Sequence, residues 1–309
     1  MHMRIGLICN THASLPLLNW LHSQQVLVAI GTANNNKDFK DDLTVLSSQI
    51  NTPLVVFQKD NLKSQLSVWL SDKAIDLVLV LAFPYKIPKK VLELPKFGFY
   101  NFHFGKLPKY GGSFPVFWQI KNGEKEAVLT IHQMDDSFDT GPIAFEIPIP
   151  LNPEFSLGTL EMNFSFVAIN GAFLLIDSIL KNNLKLKKQL NKKAIYYSKP
   201  NLKDLIINWQ NQNATQVVAL VKACNPWNKG AYARVEGFDL RILEAKISKN
   251  TSLKPGEIIS ISNDGIQVGC KDNSSILVRI IFCSFGYLDA ENMGVLGLKQ
   301  GVVFEKINI

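Results

Sequence analysis

The chain has 309 residues, of which 47% are hydrophobic and 19% are charged, and its formal net charge is +7. A chain of this length and composition can bury large cores, which excludes a disordered protein and indicates two domains. The four cysteines and five histidines are scattered without the spacing of metal ligands, so the sequence predicts no metal site.

Five short apolar segments in the first third of the chain are typical of buried strands. They cover residues 4 to 10, 25 to 33, 52 to 58, 76 to 83 and 98 to 104. Segments with helical spacing separate them, which predicts an α/β domain with a Rossmann-like, mostly parallel sheet and helices on both faces. No glycine-rich dinucleotide fingerprint follows the first strand, so a nicotinamide-dependent dehydrogenase is not expected.

The fifth predicted strand runs into the polar and glycine-rich stretch YNFHFGKLPKYGG. If the strand is extended, Asn101 and His103 point to one face while Phe102 points into the core. The proline and the paired glycines cannot continue the strand, so both polar side chains are expected at a strand end, where α/β proteins usually keep their chemistry. Taken alone, His103 is better explained as a core histidine with a satisfied hydrogen bond.

A further strand is predicted at residues 127 to 135, and it ends in the acidic turn MDDSFDTGPI. Aspartates form turns through bonds to their own backbone, which is sufficient to explain Asp135 and Asp136. Asp139 gains a functional interpretation only if folding brings His103 to it.

A mostly apolar helix predicted at about residues 157 to 180 completes the first domain. Behind it lies a basic segment with eight lysines and no acid between Asp177 and Asp204. These are Lys181, Lys185, Lys187, Lys188, Lys192, Lys193, Lys199 and Lys203. Composition favours a solvated linker, and a strip that contacts the phosphates of a nucleic acid or nucleotide is the second interpretation.

The last third of the chain has a different pattern. Residues 204 to 227 predict one helix, and the segments that follow alternate like antiparallel strands joined by tight turns. This pattern predicts a small β-barrel or sandwich, and an OB-type barrel, which often handles nucleic acids, fits it. The predicted organisation is a catalytic domain at residues 1–180, a lysine-rich linker at 181–203 and an OB-like β-barrel domain at 204–309.

Two motifs of the chain together resemble a known family. The first motif is Asn-x-His followed by Leu-Pro and Gly-Gly, and the second is QMDDSFDTGP. Together they are similar to the motif pair of the 10-formyltetrahydrofolate-dependent formyltransferases. The segment AFPYKIPKKVLELP resembles the folate-side loop and following helix of that family. NPWNKGAYARVEGFDLRILEAK resembles the opening of the C-terminal domain in its two-domain branch, shared by the methionyl-tRNA enzyme and some nucleotide-sugar formyltransferases. Nearly the entire chain is covered.

The resemblance implies an N-formyltransferase that uses 10-formyltetrahydrofolate as its donor and needs no metal. Its implied catalytic residues are Asn101, His103 and Asp139. The implied pterin slot lies between two loops, with cofactor-binding positions at Ala82, Phe83, Tyr85, Ile87, Asp135 and Asp136. Asparagine can donate to the oxyanion of a tetrahedral intermediate, histidine can exchange a proton near neutral pH, and aspartate can orient the histidine.

Three departures from the methionyl-tRNA enzyme leave the amine acceptor open. GKLP stands where SLLP is usual, Gly111 replaces an arginine, and residues 32–42 are short and without net positive charge where a long basic insertion is usual. Full-length resemblance, the barrel and the lysines favour a methionyl-tRNA formyltransferase-like enzyme. A nucleotide-linked amino sugar or another small amine is the alternative acceptor.

Two further functions remain alternatives on the sequence. The same three catalytic residues could direct water onto the donor, which would make the protein a formyltetrahydrofolate hydrolase. If the protein catalyses no reaction, the barrel and the lysines would make it a non-enzymatic RNA-binding module. No secretory leader or membrane span is visible, so a soluble cytoplasmic protein with no membrane partner is expected.

Overall fold

A computed structural model of the protein describes residues 3–190, 194–249 and 254–307. Two lysines of the predicted linker, Lys192 and Lys193, lie outside these residues. The chain forms two compact units. The first comprises Met1–Gly112, Glu126–Pro150 and Glu161–Tyr197, and the second comprises Ser113–Lys125, Leu151–Leu160 and Ser198–Ile309. The lysine-rich segment is thus divided between the units, and the expected domain boundaries at residues 180 and 204 stay a prediction.

The helices and strands up to residue 197 follow the predicted alternation. In chain order they are β1 (Ile5–Cys9), α1 (Leu15–Ser23), β2 (Leu27–Ala33), α2 (Lys37–Gln49), β3 (Leu54–Phe57), α3 (Leu62–Asp72), β4 (Leu77–Leu81), α4 (Lys89–Leu92), β5 (Phe99–His103), β6 (Gly111–Gly112), α5 (Pro115–Lys121), β7 (Glu126–Gln133), β8 (Ile143–Pro150), α6 (Leu157–Leu180) and β9 (Tyr196–Tyr197). All five predicted parallel strands are present, which confirms the Rossmann-like fold class.

The main sheet has seven strands in the order β3-β2-β1-β4-β5-β7-β8. Neighbouring strands from β3 to β5 are parallel, whereas β7 is antiparallel to β5 and to β8. β8 is not among the strands predicted from the sequence, and it contains Pro148 and Pro150, a residue type that is disfavoured inside a sheet. An edge strand tolerates proline on the side that makes no ladder hydrogen bond, and β8 is such an edge.

The loop between β2 and α2 is shorter in the structure than the loop at residues 32–42 that the sequence predicts. Residues 37 to 42 form the first turns of α2 instead. The Asn36 side chain accepts a hydrogen bond from the N–H of Phe39 and caps the helix. Only residues 34 to 36 therefore separate β2 from α2.

α6 matches the predicted apolar helix at both ends. It is the one helix in the described part of the chain whose length and hydropathy reach those of a membrane span. One stripe of its side chains is buried, and a Cβ on Gly171 would meet Ile131 of the sheet at 2.6 Å. The stripe within the first unit consists of Phe164, Ala168, Ala172, Leu175 and Ile179. This close approach is typical of a core helix packed on a sheet.

Among the described residues, the rest of the second unit contains two α-helices and six strands. They are α7 (Leu202–Leu205), α8 (Ala214–Ala223), β10 (Ala231–Val235), β11 (Phe238–Ser248), β12 (Ile258–Ser262), β13 (Gly265–Gly269), β14 (Ser275–Cys283) and β15 (Gly286–Asp289). The strands pair antiparallel in the order β10-β11-β14-β13-β12, with β15 on β14, which confirms a C-terminal antiparallel sheet domain.

The prediction of one helix over residues 204 to 227 is wrong. α7 ends at Leu205, and α8 begins after Asn213. The side chain of Asn213 accepts from the N–H of Gln216, and the Gln216 side chain accepts from the N–H of Asn213. This capping box starts a new helix, because it satisfies N–H groups that a continuous helix would have bonded to the preceding turn.

Candidate active site

β5 carries two of the polar side chains that the sequence singles out. Alternation along the strand places Asn101 and His103 on one face and Phe102 on the other. β4 and β7 flank β5, and the register pairs Asn101 with Val80 on one side and with His132 on the other. Directly opposed residues of an antiparallel pair share a face, so the His132 side chain lies beside Asn101.

Asp139 joins this cluster although it is 38 positions from Asn101 along the chain. Its Oδ1 lies 3.4 Å from Asn101 Nδ2, 3.5 Å from His103 Nδ1 and 3.6 Å from His132 Nε2. Its Oδ2 accepts a 2.8 Å hydrogen bond from the backbone N–H of Gly112. The Asp139 side chain is only 11% exposed. The structure therefore brings the three predicted residues together and adds His132 to them.

The hydrogen bonds of His103 identify the ring nitrogen that can exchange a proton. Nε2 lies 2.6 Å from the carbonyl oxygen of Tyr110, which can only accept, so Nε2 carries the hydrogen of this bond. Nδ1 faces Oδ1 of Asp139 at 3.5 Å, which is longer than an ordinary hydrogen bond. Nδ1 is therefore the atom left to take up a proton, and it does so beside a carboxylate.

His132 is a residue of the cluster that was not predicted from the sequence. Its Nδ1 lies 3.2 Å from the carbonyl oxygen of Gln133 and donates to it, so Nε2 is an acceptor, 3.2 Å from Asn101 Nδ2. Because Asp139 also accepts, the Asn101 amide must turn its NH₂ group toward both. The available signal was polar residues at two alternating positions inside a buried strand, Thr130 and His132.

The surroundings of Asp139 keep its carboxylate ionised. Burial acts to raise the pKa of Asp139, but the attraction of His103, the interaction with His132 and the hydrogen bond from Gly112 outweigh it and lower the pKa from 3.8 to about 2.

Within the described part of the chain, no group of three or more histidine, cysteine and acidic side chains has the arrangement of a metal site.

We expect Asp139 to make protein stability depend on acidity. The folded-state pKa is the lower one, so the stabilisation is complete above pH 3.8 and is lost as the pH falls through about 2. It amounts to roughly 2 kcal/mol of the free energy of unfolding, at about 1.4 kcal/mol per pKa unit. Urea unfolding of the wild type and of Asp139→Asn measures it. The gap between the two proteins should narrow between pH 4 and pH 2, and a constant gap would contradict the assignment.

The loop after β4 contains four of the residues for which the resemblance implies folate contacts. Ala82 is exposed and has a φ of 56°, in the left-handed region. Phe83 and Tyr85 are half-buried, and their rings meet edge to face with centroids 5.3 Å apart. Ile87 is 1% exposed and belongs to a hydrophobic core cluster against which both aromatic rings pack. These three larger side chains are thus engaged in the protein interior.

The other two implied folate residues lie at a different place. Asp135 and Asp136 border a cleft of about 700 Å³ that also touches Tyr100. Because Tyr100 precedes Asn101 in β5, its side chain points to the opposite face of the sheet. Asp135 Oδ1 accepts a 3.1 Å bond from the N–H of Ser137, as the turn interpretation expects. The cleft is a separate feature from the cluster around Asp139, and the binding roles of all six residues stay predictions.

Two family models match the chain. The model described as "Formyl transferase" covers residues 10–175, and the model described as "Formyl transferase, C-terminal domain" covers residues 201–284. The first match begins directly after β1 and contains the other six strands of the main sheet, including every residue of the cluster. The second includes the two helices α7 and α8 and the greater part of the antiparallel sheet.

Curated relatives and solved structures agree with these matches. A methionyl-tRNA formyltransferase of Legionella pneumophila (strain Corby) is 32% identical over 235 residues, which is 75% of this chain and 74% of that protein. One from Clostridium beijerinckii is 34% identical over 67% of each chain. Among structures, an N-formyltransferase of Helicobacter canadensis is 17% identical with a TM-score of 0.69, over 89% of this chain and 98% of its own. HypX of Aquifex aeolicus is 16% identical with a TM-score of 0.68, over 96% of this chain and 47% of its own.

Proposed function

The chain belongs to the formyltransferase family, and from this premise we propose that it transfers the formyl group of 10-formyltetrahydrofolate to a primary amine at the cluster of Asn101, His103 and Asp139. The observation that carries the proposal is that side chains up to 38 positions apart meet within 3.5 Å on one face of β5. Formyl transfer needs a group that takes the proton of the amine and a donor for the oxyanion. The cluster contains one of each.

The proton moves through His103. The neutral amine attacks the formyl carbon, a C–N bond forms, and the electron pair of the carbonyl moves to oxygen. Nδ1 of His103 takes the proton that the nitrogen must lose, since Nε2 is held by the carbonyl of Tyr110. The carboxylate of Asp139 stabilises the resulting imidazolium. When the bond from carbon to the folate nitrogen breaks, the same proton passes to that nitrogen, so tetrahydrofolate leaves neutral at this atom.

Asn101 supplies the hydrogen bond to the oxyanion. Its NH₂ group is 3.2 Å from His132 and 3.4 Å from Asp139, both longer than the usual 2.9 to 3.0 Å of an N–H···O bond. A negatively charged oxygen is a better acceptor, so one hydrogen can turn to the intermediate at little cost. His132 keeps the amide in the required orientation, because it accepts from the same NH₂ group.

The folate donor is assigned to the two loops that flank β5. One is the segment 82–87 after β4, and the other is the turn 135–139 after β7. Met134, at the start of the turn, packs against the same core cluster as Phe83 and Tyr85, so the two loops lie near each other. Because Phe83 and Tyr85 are half-buried against this cluster, we expect backbone groups of the loop to contribute to recognition of the pterin.

Methionyl-tRNA is the acceptor that we propose first. The relatives that are more than 30% identical carry that name. The basic segment also offers exposed lysines, among them Lys185 and Lys188. Lysines hold a phosphate backbone by an attraction that does not depend on base sequence, and each contact makes binding more sensitive to salt.

A nucleotide-linked amino sugar is the second candidate acceptor, and one observation favours it. Three residues, 34 to 36, separate β2 from α2, where the resemblance implies a long basic insertion in the tRNA enzyme. Such a connection provides no surface for an RNA stem at this point. A small amine needs none, and its diphosphate could still use the lysines.

One experiment distinguishes the acceptors. The purified protein receives 10-formyltetrahydrofolate with methionyl-tRNA in one assay and with a panel of nucleotide-linked amino sugars in another. We expect the first assay to produce formyl-methionyl-tRNA. The affinity of the protein for methionyl-tRNA should fall as salt rises, with a slope of about −3 or steeper in a plot of the logarithm of affinity against the logarithm of salt concentration. The variant Lys185→Ala/Lys188→Ala should reduce that slope by about 1 to 2. Formylation of a sugar alone would replace the first acceptor by the second.

The same assay tests the other two functions. Rapid formate release without any amine would identify a hydrolase and remove the transferase proposal. RNA binding without consumption of the donor would identify a binding module. Cytoplasmic location is part of the proposal, and it is supported by free thiols at Cys9, Cys224, Cys270 and Cys283, which suit a reducing compartment. Fractionation of cells with an antibody against the chain checks it.

A further inference from the structure

Gln189 is a buried residue within an exposed basic segment. From Lys185 to Leu190, every side chain is exposed except that of Gln189, which is 7% exposed. Burial of an amide costs free energy unless its polar atoms find partners. The partners of Gln189 therefore indicate why this position turns inward.

The Gln189 amide binds the backbone of the turn that carries Asp139. Nε2 donates to the carbonyl oxygen of Asp139 at 2.8 Å and to that of Gly141 at 2.7 Å. An amide NH₂ group has two hydrogens, so these bonds use its full donor capacity. These two hydrogen bonds hold the carbonyl groups of the residues immediately before and after Thr140.

This turn needs support from outside, because its own backbone is unfavourable. Asp139 has a φ of 59°, a conformation that costs a residue other than glycine about 1 kcal/mol or more. Gly141 approaches the preceding strand so closely that a Cβ there would collide with the carbonyl oxygen of Gln133. Thr140 Oγ1 donates to Asp135 Oδ1 within the turn, and the bonds from Gln189 add support on the side of Asp139 and Gly141.

The chain that follows Gln189 also holds the other side of the carboxylate. The N–H of Ile195 donates to the carbonyl of Pro108 at 3.0 Å, and its carbonyl accepts from the N–H of Gly111 at 3.1 Å. β9 then pairs with β6, which contains Gly112. The N–H of Gly112 is the donor to Oδ2 of Asp139. One segment of chain thus fixes both the turn that carries the carboxylate and the loop that binds it.

We propose that Gln189 is a positioning residue for formyl transfer, which holds the Asp139 turn so that Oδ1 stays beside Nδ1 of His103. This inference rests on the proposed function, since it concerns the same cluster. Gln189 does not touch the reacting atoms and acts through Asp139. Its loss should lower kcat and raise the pKa of the Asp139 carboxyl group, whereas KM for the folate donor should change little.

The variant Gln189→Met tests the proposal, because it keeps the length of the side chain and removes both donors. We expect kcat to fall about 100-fold, the loss that a displacement of about 1 Å can cause. The carboxyl group of Asp139 should titrate at higher pH. Burial, which raises the pKa of Asp139, would persist, while the attraction of His103 and His132, which lowers it, would weaken.

Gln119→Met is the matched control. Gln119 is fully buried, and its Nε2 donates to the carbonyl of Pro115 at 3.1 Å, four residues earlier in the chain. The same chemical change there should leave kcat and the titration of Asp139 as in the wild type. If both variants lost activity equally, Gln189 would have only a structural role, and the proposal would be overturned.

A second readout does not depend on catalysis. The ¹³C carboxyl signal of Asp139, assigned by its absence in Asp139→Asn, should titrate at higher pH in Gln189→Met. If that variant does not fold, Gln189→Ser replaces it, since a water molecule could then bind both carbonyls without fixing their position. A folded variant with kcat within about threefold of wild type and an unshifted titration would refute the proposal. A wild type that forms no formylated amine would refute the proposed function instead, while the titration would still test the contact.

Discussion

His103→Ala is expected to lower kcat for formyl transfer about 10³-fold, within the range for loss of a general acid–base group. Nε2 of the ring is bonded to the carbonyl of Tyr110, and Nδ1 faces Asp139, so Nδ1 is the atom that takes the proton of the amine. Alanine leaves no group at this point that could do so near neutral pH. Single-turnover formyl transfer with saturating donor measures the loss without a contribution from product release.

A second variant separates chemistry from folding. His103 is 6% exposed, and its removal deletes a buried hydrogen bond to the Tyr110 carbonyl, which costs about 1 kcal/mol. His103→Gln can keep a donor to that carbonyl but has no titratable nitrogen, so it should fold normally and remain as inactive as the alanine variant. His22→Ala, at an exposed histidine of α1, should have no effect. Near-normal turnover of His103→Gln would remove His103 from the mechanism.

Asn101→Ala is expected to lower kcat by about 10²- to 10³-fold, which corresponds to roughly 3 to 4 kcal/mol of transition-state stabilisation. Its NH₂ group is the donor that the cluster offers to the oxyanion of the tetrahedral intermediate. This charge exists only after the amine has attacked, so KM for donor and acceptor should change little. Steady-state rates over a range of both substrates measure the two effects separately.

Asn101→Asp is the matched variant for this role. It keeps the shape of the side chain, removes the NH₂ group and places a second carboxylate beside Oδ1 of Asp139, 3.4 Å from the atom it replaces. We expect a loss at least as large as with alanine, because repulsion adds to the missing hydrogen bond. If Asn101→Ala instead raised KM and left kcat unchanged, Asn101 would bind the ground state, and the oxyanion role would be wrong.

Local patterns were sufficient to predict the parallel part of the fold. The strands β1 to β5 and the helix α6 each have a composition and period that identify them without knowledge of their neighbours. β8 was missed because its prolines are tolerated only at an edge, and the edge is a property of the sheet. The break between α7 and α8 was missed because it depends on the capping box of Asn213 and Gln216 rather than on the apolar pattern.

The site shows the same division between local and long-range information. Alternation in β5 was enough to put Asn101 and His103 on one face. His132 was missed, because its position beside Asn101 follows from the register of β7 against β5, which is set 31 residues away along the chain. Gln189 was missed because it lies in a segment whose lysines predict a solvated linker.

By itself, the sequence determined the parallel strands β1 to β5 and which side of β5 is polar, because both depend on interactions between residues a few positions apart. Through the resemblance to the family, it also proposed Asn101, His103 and Asp139 as the residues for formyl transfer. Only the tertiary structure decided that Asp139 meets His103, that His132 orients Asn101, and that Gln189 holds the turn. These contacts depend on strand register and on a strained turn, which are fixed when distant segments of chain pack together.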